Sequence, residues 1–213
     1  MSPDILGQDT IPSIDDLIHN ERINLRYKTA SRADYIRETN PDTMTCVFDN
    51  NTYTILSNGK IINDTSQDFV FLKNKDVIDN IYLYIYDNDY IIFFTETDFE
   101  DSFSYAKRIN SKTKQIVWSN PIYAFNLGTP VIVDNNAYVS TLGFVGKLDL
   151  NSGKYIWRHE DLYDDGKFNA FENPIFLEKN YVIFPSPHYF THETDYLLVN
   201  DNTGEAVILN TTN

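Results

Sequence analysis

The sequence predicts an all-β chain, folded as a small β-propeller of about four or five four-stranded blades with a short N-terminal helix. Three observations carry that expectation. The first is the stretch Gly146–Trp157, in which an alternating run from Val145 to Leu150 meets Asn151-Ser152-Gly153 and then Lys154 to Trp157. Gly153 supplies the positive φ of a tight turn, and β-branched and aromatic residues flank it, so the stretch reads as a hairpin. The second is recurrence: Ile109–Trp118 aligns without gaps to Leu148–Trp157, and Val199–Ile208 is a further copy with Ile208 in the tryptophan's place. Trp118 and Trp157 are 39 residues apart, and Trp157 and Ile208 are 51 apart. The third is a second hairpin upstream of each copy, at 83–93, 131–139 and 175–184, with a degenerate one at 46–56. Each is an apolar run, a polar turn and a tyrosine opening a second run; the aligned tyrosines are Tyr53, Tyr90, Tyr138 and Tyr181. Two hairpins in about 40–50 residues is the period of a propeller blade.

Taken in order, residues 1–20 read as a tail with a short helix, and residues 21–213 as a single propeller domain. Ser13 caps Ile14-Asp15-Asp16-Leu17-Ile18, with acids in the first turn and apolar residues at helical spacing. Ile23 to Lys28 alternates as a half-exposed strand, and 31–43 is a polar stretch broken at Asn40-Pro41-Asp42. The blades begin at Thr45, with Ser57-Asn58-Gly59-Lys60 as the turn of the first. Three segments interrupt the rhythm: 95–104, acidic and carrying Phe99 and Phe103; 159–172, a long acidic connection between blades; and 185–195, which lengthens the last hairpin. Long loops on a repeat scaffold are where function usually sits. Fifteen tyrosines and fourteen phenylalanines suit such an all-β chain and rule out disorder.

The pattern Lys147-Leu-Asp-Leu-Asn-Ser-Gly-Lys-Tyr-Ile-Trp157 resembles the PQQ-like (pyrroloquinoline-quinone type) β-propeller repeat, most closely at Gly146–Trp157. The resemblance is fair at Ala106–Trp118, where Thr113-Lys114 stands for Thr-Gly, and at Tyr196–Leu209, which keeps Asn-Thr-Gly and loses the tryptophan. It covers roughly two-thirds of the chain and fades before Thr45. It implies that the tryptophan of one blade packs on the turn glycine of its neighbour, making Trp118, Gly153, Trp157 and Gly204 blade locks. The family's quinone-dependent dehydrogenases have about eight blades, a calcium-supported quinone and often an adjacent cysteine pair. This chain has half that length and one cysteine, so no cofactor is expected. The same repeat also builds non-catalytic scaffolds.

The net charge of −14 argues against nucleic acid, because phosphate binding needs a basic face, and favours a basic protein partner. Cys46 lies in an apolar strand pattern, has no partner for an internal disulfide and reads as a buried thiol. No stretch reaches the length of a membrane span, and the N-terminus has neither a basic region nor an apolar core. As written, the chain reads as cytoplasmic, or as periplasmic if a signal has been removed. The oligomeric state stays open.

Motifs for catalysis are weak. Gly143-Phe-Val-Gly146 lacks the context of a phosphate loop, and no serine stands in a nucleophile elbow. Asp149-x-Asn151-x-Gly153 lacks the distal glutamate of a calcium loop and reads as turn chemistry. His188 and His192 are the most metal-like pair, but Pro185 and Pro187 argue for an extended loop over a helix that would align them. The expectation is therefore a non-enzymatic binder, an acidic inhibitor or immunity-type protein that neutralises a basic partner such as a bacterial toxin. Its working surface is expected at Asp98, Phe99, Glu100, Asp101 and Phe103, and at Tyr163, Asp164 and Asp165, where rigid aromatics give contact area and acids give steering. Two alternatives are an envelope scaffold of the outer-membrane propeller-lipoprotein type and a small sugar- or metal-dependent enzyme.

Overall fold

A computed structural model describes residues 34–36, 43–48, 50–56, 60–64, 68–71, 77–97, 101–163, 168–177, 180–188, 191 and 193–209. The expected helix at 13–18 and strand at 23–28 lie outside them. Every element among the described residues is a strand, and the strands form four antiparallel meanders. The first sheet holds β1 (Asp34–Ile36), β2 (Thr43–Phe48), β3 (Asn51–Leu56), β4 (Lys60–Asn63) and β5 (Asp68–Phe71). The second holds β6 (Val77–Tyr86), β7 (Asp89–Thr97), β8 (Ser102–Ile109) and β9 (Ile116–Ile122). The third holds β10 (Val131–Val133), β11 (Asn136–Thr141), β12 (Phe144–Asp149) and β13 (Tyr155–His159). The fourth holds β14 (Ile175–Leu177), β15 (Tyr181–Pro187), β16 (Thr194–Asn200) and β17 (Ala206–Leu209). The repeats thus map one to a sheet, except that β1 adds a fifth strand to the first by pairing with β2.

Turn chemistry sets the strand boundaries. Asn50, Asp87 and Asn88, Asp134 and Asn180 hold positive φ in the turns that precede the aligned tyrosines, the conformation that Asn and Asp adopt at least cost. In the outer turns the corresponding step is taken by Lys114, Gly153 and Gly204, at φ of 61°, 70° and 76°. Asn110, Asp149 and Asn200 open these turns, each accepting backbone N–H groups on its side-chain oxygen. Two of the interruptions are partly strand rather than loop. β7 runs to Thr97 and β8 starts at Ser102, while β15 continues through two prolines. Pro185 fits because its carbonyl points to the β14 side, where it accepts Glu172 N–H at 2.8 Å; its own missing N–H would point the same way, past the last β14 pair at Ile183.

The sheets pack face to face in succession as propeller blades. Tyr53 and Ile61 of the first meet Ile81, Leu83, Ile92, Phe94 and Ile109 of the second. The other face of the second sheet, with Ile91, Phe93 and Ala106, meets Ile132, Ala137, Val139, Phe144 and Leu148 of the third. The third then buries Tyr138, Val145 and Trp157 against Val182, Phe184, Leu197 and Val199 of the fourth.

A bulge arms two of these boundaries. In β13, Tyr155 packs toward the second sheet while Trp157, two residues on, packs toward the fourth. Residues i and i+2 of a regular strand share a face, so this reversal requires the register shift between Lys147 and Leu148, which leaves Ile156 as the extra residue. The same shift between Arg108 and Ile109 turns Trp118. The Trp118 ring lies against Gly153, where a Cβ would come within 2.6 Å of it, and its indole N–H donates to the Leu150 carbonyl at 3.0 Å. Gly204 lies against the Cβ and Cγ of Trp157, where a Cβ would come within 2.5 Å, and the Trp157 indole N–H donates to Asp201 O at 3.1 Å. Lys147 reinforces the second contact with an ion pair to Asp201 at 2.8 Å. The fourth sheet has neither device: the β16–β17 ladder runs without a shift, and Ile208 stands opposite Leu197.

Tyrosine hydroxyls tie the same boundaries. Tyr86 donates to Asn135 at 2.7 Å, and Tyr138 donates to the Asp201 carboxylate at 2.8 Å. Burial, with the Asp201 charge beside it, pushes the Tyr138 phenol well above its ordinary pKa, and burial does the same to Tyr155. A raised folded pKa means that the folded chain holds protons the unfolded chain releases. Stability is therefore complete below about pH 10, the unfolded value, and is lost as pH rises above it, by about 1.4 kcal/mol per pH unit for each such tyrosine. Urea midpoints between pH 8 and 11 are expected to be flat and then fall, and Tyr138→Phe should make the fall shallower. An unchanged slope in that variant refutes the assignment.

Candidate functional site

In an antiparallel four-stranded meander, the turn between the second and third strands and the connection leaving the fourth lie at the same end. The β7–β8, β11–β12 and β15–β16 turns and the β9–β10 and β13–β14 connections therefore share one end of the blades, and all three sequence interruptions fall there. Among the described residues, the opposite end carries the tight turns described above.

The β11–β12 turn, Leu142-Gly143, is the hub of this end. Leu142 N–H donates to Phe125 O at 3.1 Å, the Thr141 hydroxyl to Tyr123 O, and Leu162 N–H to Gly143 O at 3.0 Å. Gly143 has φ 65°, and a Cβ there would stand 2.6 Å from that of Tyr163. The two connections thus meet on one turn. Tyr123 also reaches across to donate to Asp161 Oδ1 at 2.9 Å. Three non-glycine residues beside this hub, Ala124, Asn126 and Asp161, hold left-handed backbone at φ near 60°. For Ala124 that costs on the order of 1 kcal/mol without any side-chain hydrogen bond in return.

The result is a strip of exposed aromatic side chains. Tyr123, Phe125 and Tyr163 are 45–50% exposed. Phe103, equally open, lies at the same end: it directly precedes Ser104, whose β9 partner Ile122 directly precedes Tyr123. Of the residues expected on a working surface, Phe103 and Tyr163 are thus linked through Tyr123 and Phe125, and Asp101 is exposed at the β7–β8 turn. Asp98, Phe99, Glu100, Asp164 and Asp165 lie outside the described residues. Tyr123 and Phe125 are absent from the sequence-based surface, since the run 121–130 contains no charge and reads as a plain connector; its signal is the aromatic spacing.

The 159–172 connection is only half a surface loop. Phe168 and Phe171 are buried between the third and fourth sheets. Their backbone is held by Gly143 N–H to Asn169 O, by Asn169 N–H to the Ser186 hydroxyl at 2.8 Å, and by the Leu142–Ala170 bridge. Of the acidic part, Glu160 and Asp161 are exposed, and Arg158 is paired to Glu160 at 2.8 Å.

His188 pairs with Asp195 Oδ2 at 2.7 Å across the base of the β15–β16 turn, which its N–H closes onto Glu193 O. His192 lies outside the described residues. Among the described residues no three His, Cys, Asp or Glu side chains converge on a metal position, and no helix is long and apolar enough to cross a membrane.

No family model matches the chain, and no curated protein matches it by sequence. Solved structures do. A quinohemoprotein alcohol dehydrogenase, ADHIIG from Pseudomonas putida HK5, superposes with a TM-score of 0.50 and 13% identity, over 85% of this chain and 35% of that one. The computationally designed Ika8 protein superposes with a TM-score of 0.51 and 13% identity, over 83% of this chain and 60% of that one. Drosophila Semaphorin 1a, extracellular domains 1-2, reaches a TM-score of only 0.36 at 11% identity, over 82% of this chain and 39% of that one. The chain matches about a third of the dehydrogenase and less than two-thirds of the design. At such identities the likeness shows the β-propeller fold and leaves activity open.

Proposed function

We propose that this chain is a non-enzymatic, protein-binding β-propeller that uses the loop end of its blades to hold a basic protein, as an inhibitor or immunity-type protein does. The strip formed by Phe103, Tyr123, Phe125 and Tyr163 carries the reading. Open aromatic side chains gathered at one end of the blades are costly to leave in water and are the residue types that anchor interfaces. Acidic residues are dense in the two sequence segments that contribute Phe103 and Tyr163: Asp98, Glu100 and Asp101 in one, Glu160, Asp161, Asp164 and Asp165 in the other. With a net charge of −14, that arrangement attracts a basic surface and repels an acidic one.

The test is capture of a basic partner from the source lysate at low and high salt, repeated with Asp98, Glu100, Asp101, Asp164 and Asp165 reversed to lysine. Capture of one basic protein is expected, loosened by salt and weakened at least ten-fold by the reversal, since each rim charge acts mainly on encounter and their effects accumulate. Binding that ignores both salt and the reversal overturns the proposal.

A further inference from the structure

We infer that the aromatic strip is an arginine-reading subsite, taking the guanidinium groups of the basic partner in preference to lysine ammonium groups. The inference rests on the proposed function and adds the chemistry of recognition. Tyr123, Phe125 and Tyr163 are rigid platforms: each has few rotatable bonds, and the backbone behind each is fastened to the Thr141–Gly143 turn by the hydrogen bonds and close contact described above. Ring faces attract cations, and a planar, weakly hydrated guanidinium stacks on them where a compact, strongly hydrated ammonium does so less well. Asp161 stands at the edge of the Tyr123 ring, with one carboxylate oxygen engaged by the Tyr123 hydroxyl. A carboxylate offers further lone pairs, and the fork of guanidinium N–H donors matches them. That hydrogen bond also fixes Asp161 beside the Tyr123 ring, so one guanidinium can meet a ring and a carboxylate together.

The left-handed turns at Ala124 and Asn126 are part of the same arrangement. Tyr123 and Phe125 are spaced as i and i+2 and both lie open, with Leu127 buried directly after them. A surface that only needed to cover the third sheet would not require the unfavourable backbone conformation at Ala124. The flanking acids supply long-range attraction that does not distinguish the two cations, so discrimination falls to the rings.

The experiment uses the full chain and two synthetic probes of equal charge, nona-arginine and nona-lysine, titrated at 50 and 150 mM salt. Nona-arginine is expected to bind about five-fold more tightly or better. Phe125→Ala and Tyr163→Ala, both at open positions, should close that gap while changing nona-lysine affinity less than about two-fold. The urea midpoint of each variant checks that the fold persists. Equal affinity for both peptides, lost with salt, overturns the arginine preference and leaves the basic-partner reading standing. So does a preference that survives both substitutions. Absence of binding by either peptide at 50 mM salt overturns both readings. Binding of uncharged maltohexaose that is lost in Phe125→Ala overturns them in favour of a sugar-stacking platform.

Discussion

Trp157→Ala is expected to destabilise the chain by about 4 kcal/mol, near the top of the range for emptying a large aromatic site. The Trp157 indole is buried where the third and fourth sheets meet, edge-on to Phe184 and tilted against Tyr138 with ring centroids 6.2 Å away, with its Cβ and Cγ against Gly204. Sheet backbones on both sides prevent the site from collapsing. The Asp201 carbonyl that loses the indole N–H keeps Lys147 Nζ at 3.1 Å, so the loss is mainly cavity rather than an orphaned acceptor. Trp118 is only half-buried, and Trp118→Ala should cost less, about 2–3 kcal/mol. Because each sheet touches only its neighbours, the effect should be local: amide exchange in β15 and β16 should quicken while β7 and β8 stay protected. Urea denaturation and exchange of both variants check this. A loss under about 1 kcal/mol for Trp157→Ala, or uniform quickening, is the contrary result.

Gly153→Ala should cost about 3 kcal/mol although it adds a single methyl group. Two terms combine: a left-handed residue without glycine, about 1 kcal/mol, and a Cβ driven to 2.6 Å from the Trp118 ring, about 2 kcal/mol of overpacking. Lys114 separates them. It holds the same step of the second sheet's outer turn at φ 61°, with its ammonium over the Tyr90 ring, so the conformation alone tolerates a side chain. The tryptophan is what excludes one at Gly153. In a Trp118→Ala background the Gly153→Ala penalty should therefore shrink to about 1 kcal/mol, a coupling that a double-mutant cycle measures directly. Simple additivity of the two substitutions is the result that refutes it.

What the sequence made legible was what local chemistry encodes. Asn50, Asp87, Asn180, Gly153 and Gly204 mark turns because few residue types tolerate their backbone, and Tyr53, Tyr138 and Tyr181 recur where a strand opens after such a turn; Tyr90 stands one register step away, on the face toward the first sheet, where its ring meets that of Tyr53 edge-on. Features that depend on pairing were hidden. The bulges opposite Ile156 and Val117 have no signature in composition. Phe168 and Phe171 lie in an acidic run and read as surface, yet they enter the core because Ser186 and Gly143 hold the chain there. Pro185 and Pro187 suggest a loop until the shortness of β14 shows that nothing is lost by placing them in a strand. Tyr123 and Phe125 were hidden for the opposite reason: an uncharged connector carries no charge signal, and only folding fastens it to the turn that Leu162 and Tyr163 also meet.

The bulged tryptophans give the row of blades a direction. Every boundary of this kind joins a donor, the turned indole of one sheet, to an acceptor, the bare glycine of the next, and the fourth sheet carries an acceptor in Gly204 but no donor. A two-fold axis placed across such a boundary would set donor against donor or acceptor against acceptor. The fourth sheet, having no donor, cannot make such a boundary with a further blade, whether of this chain or of another copy, so any contact on that face would have to use other residues.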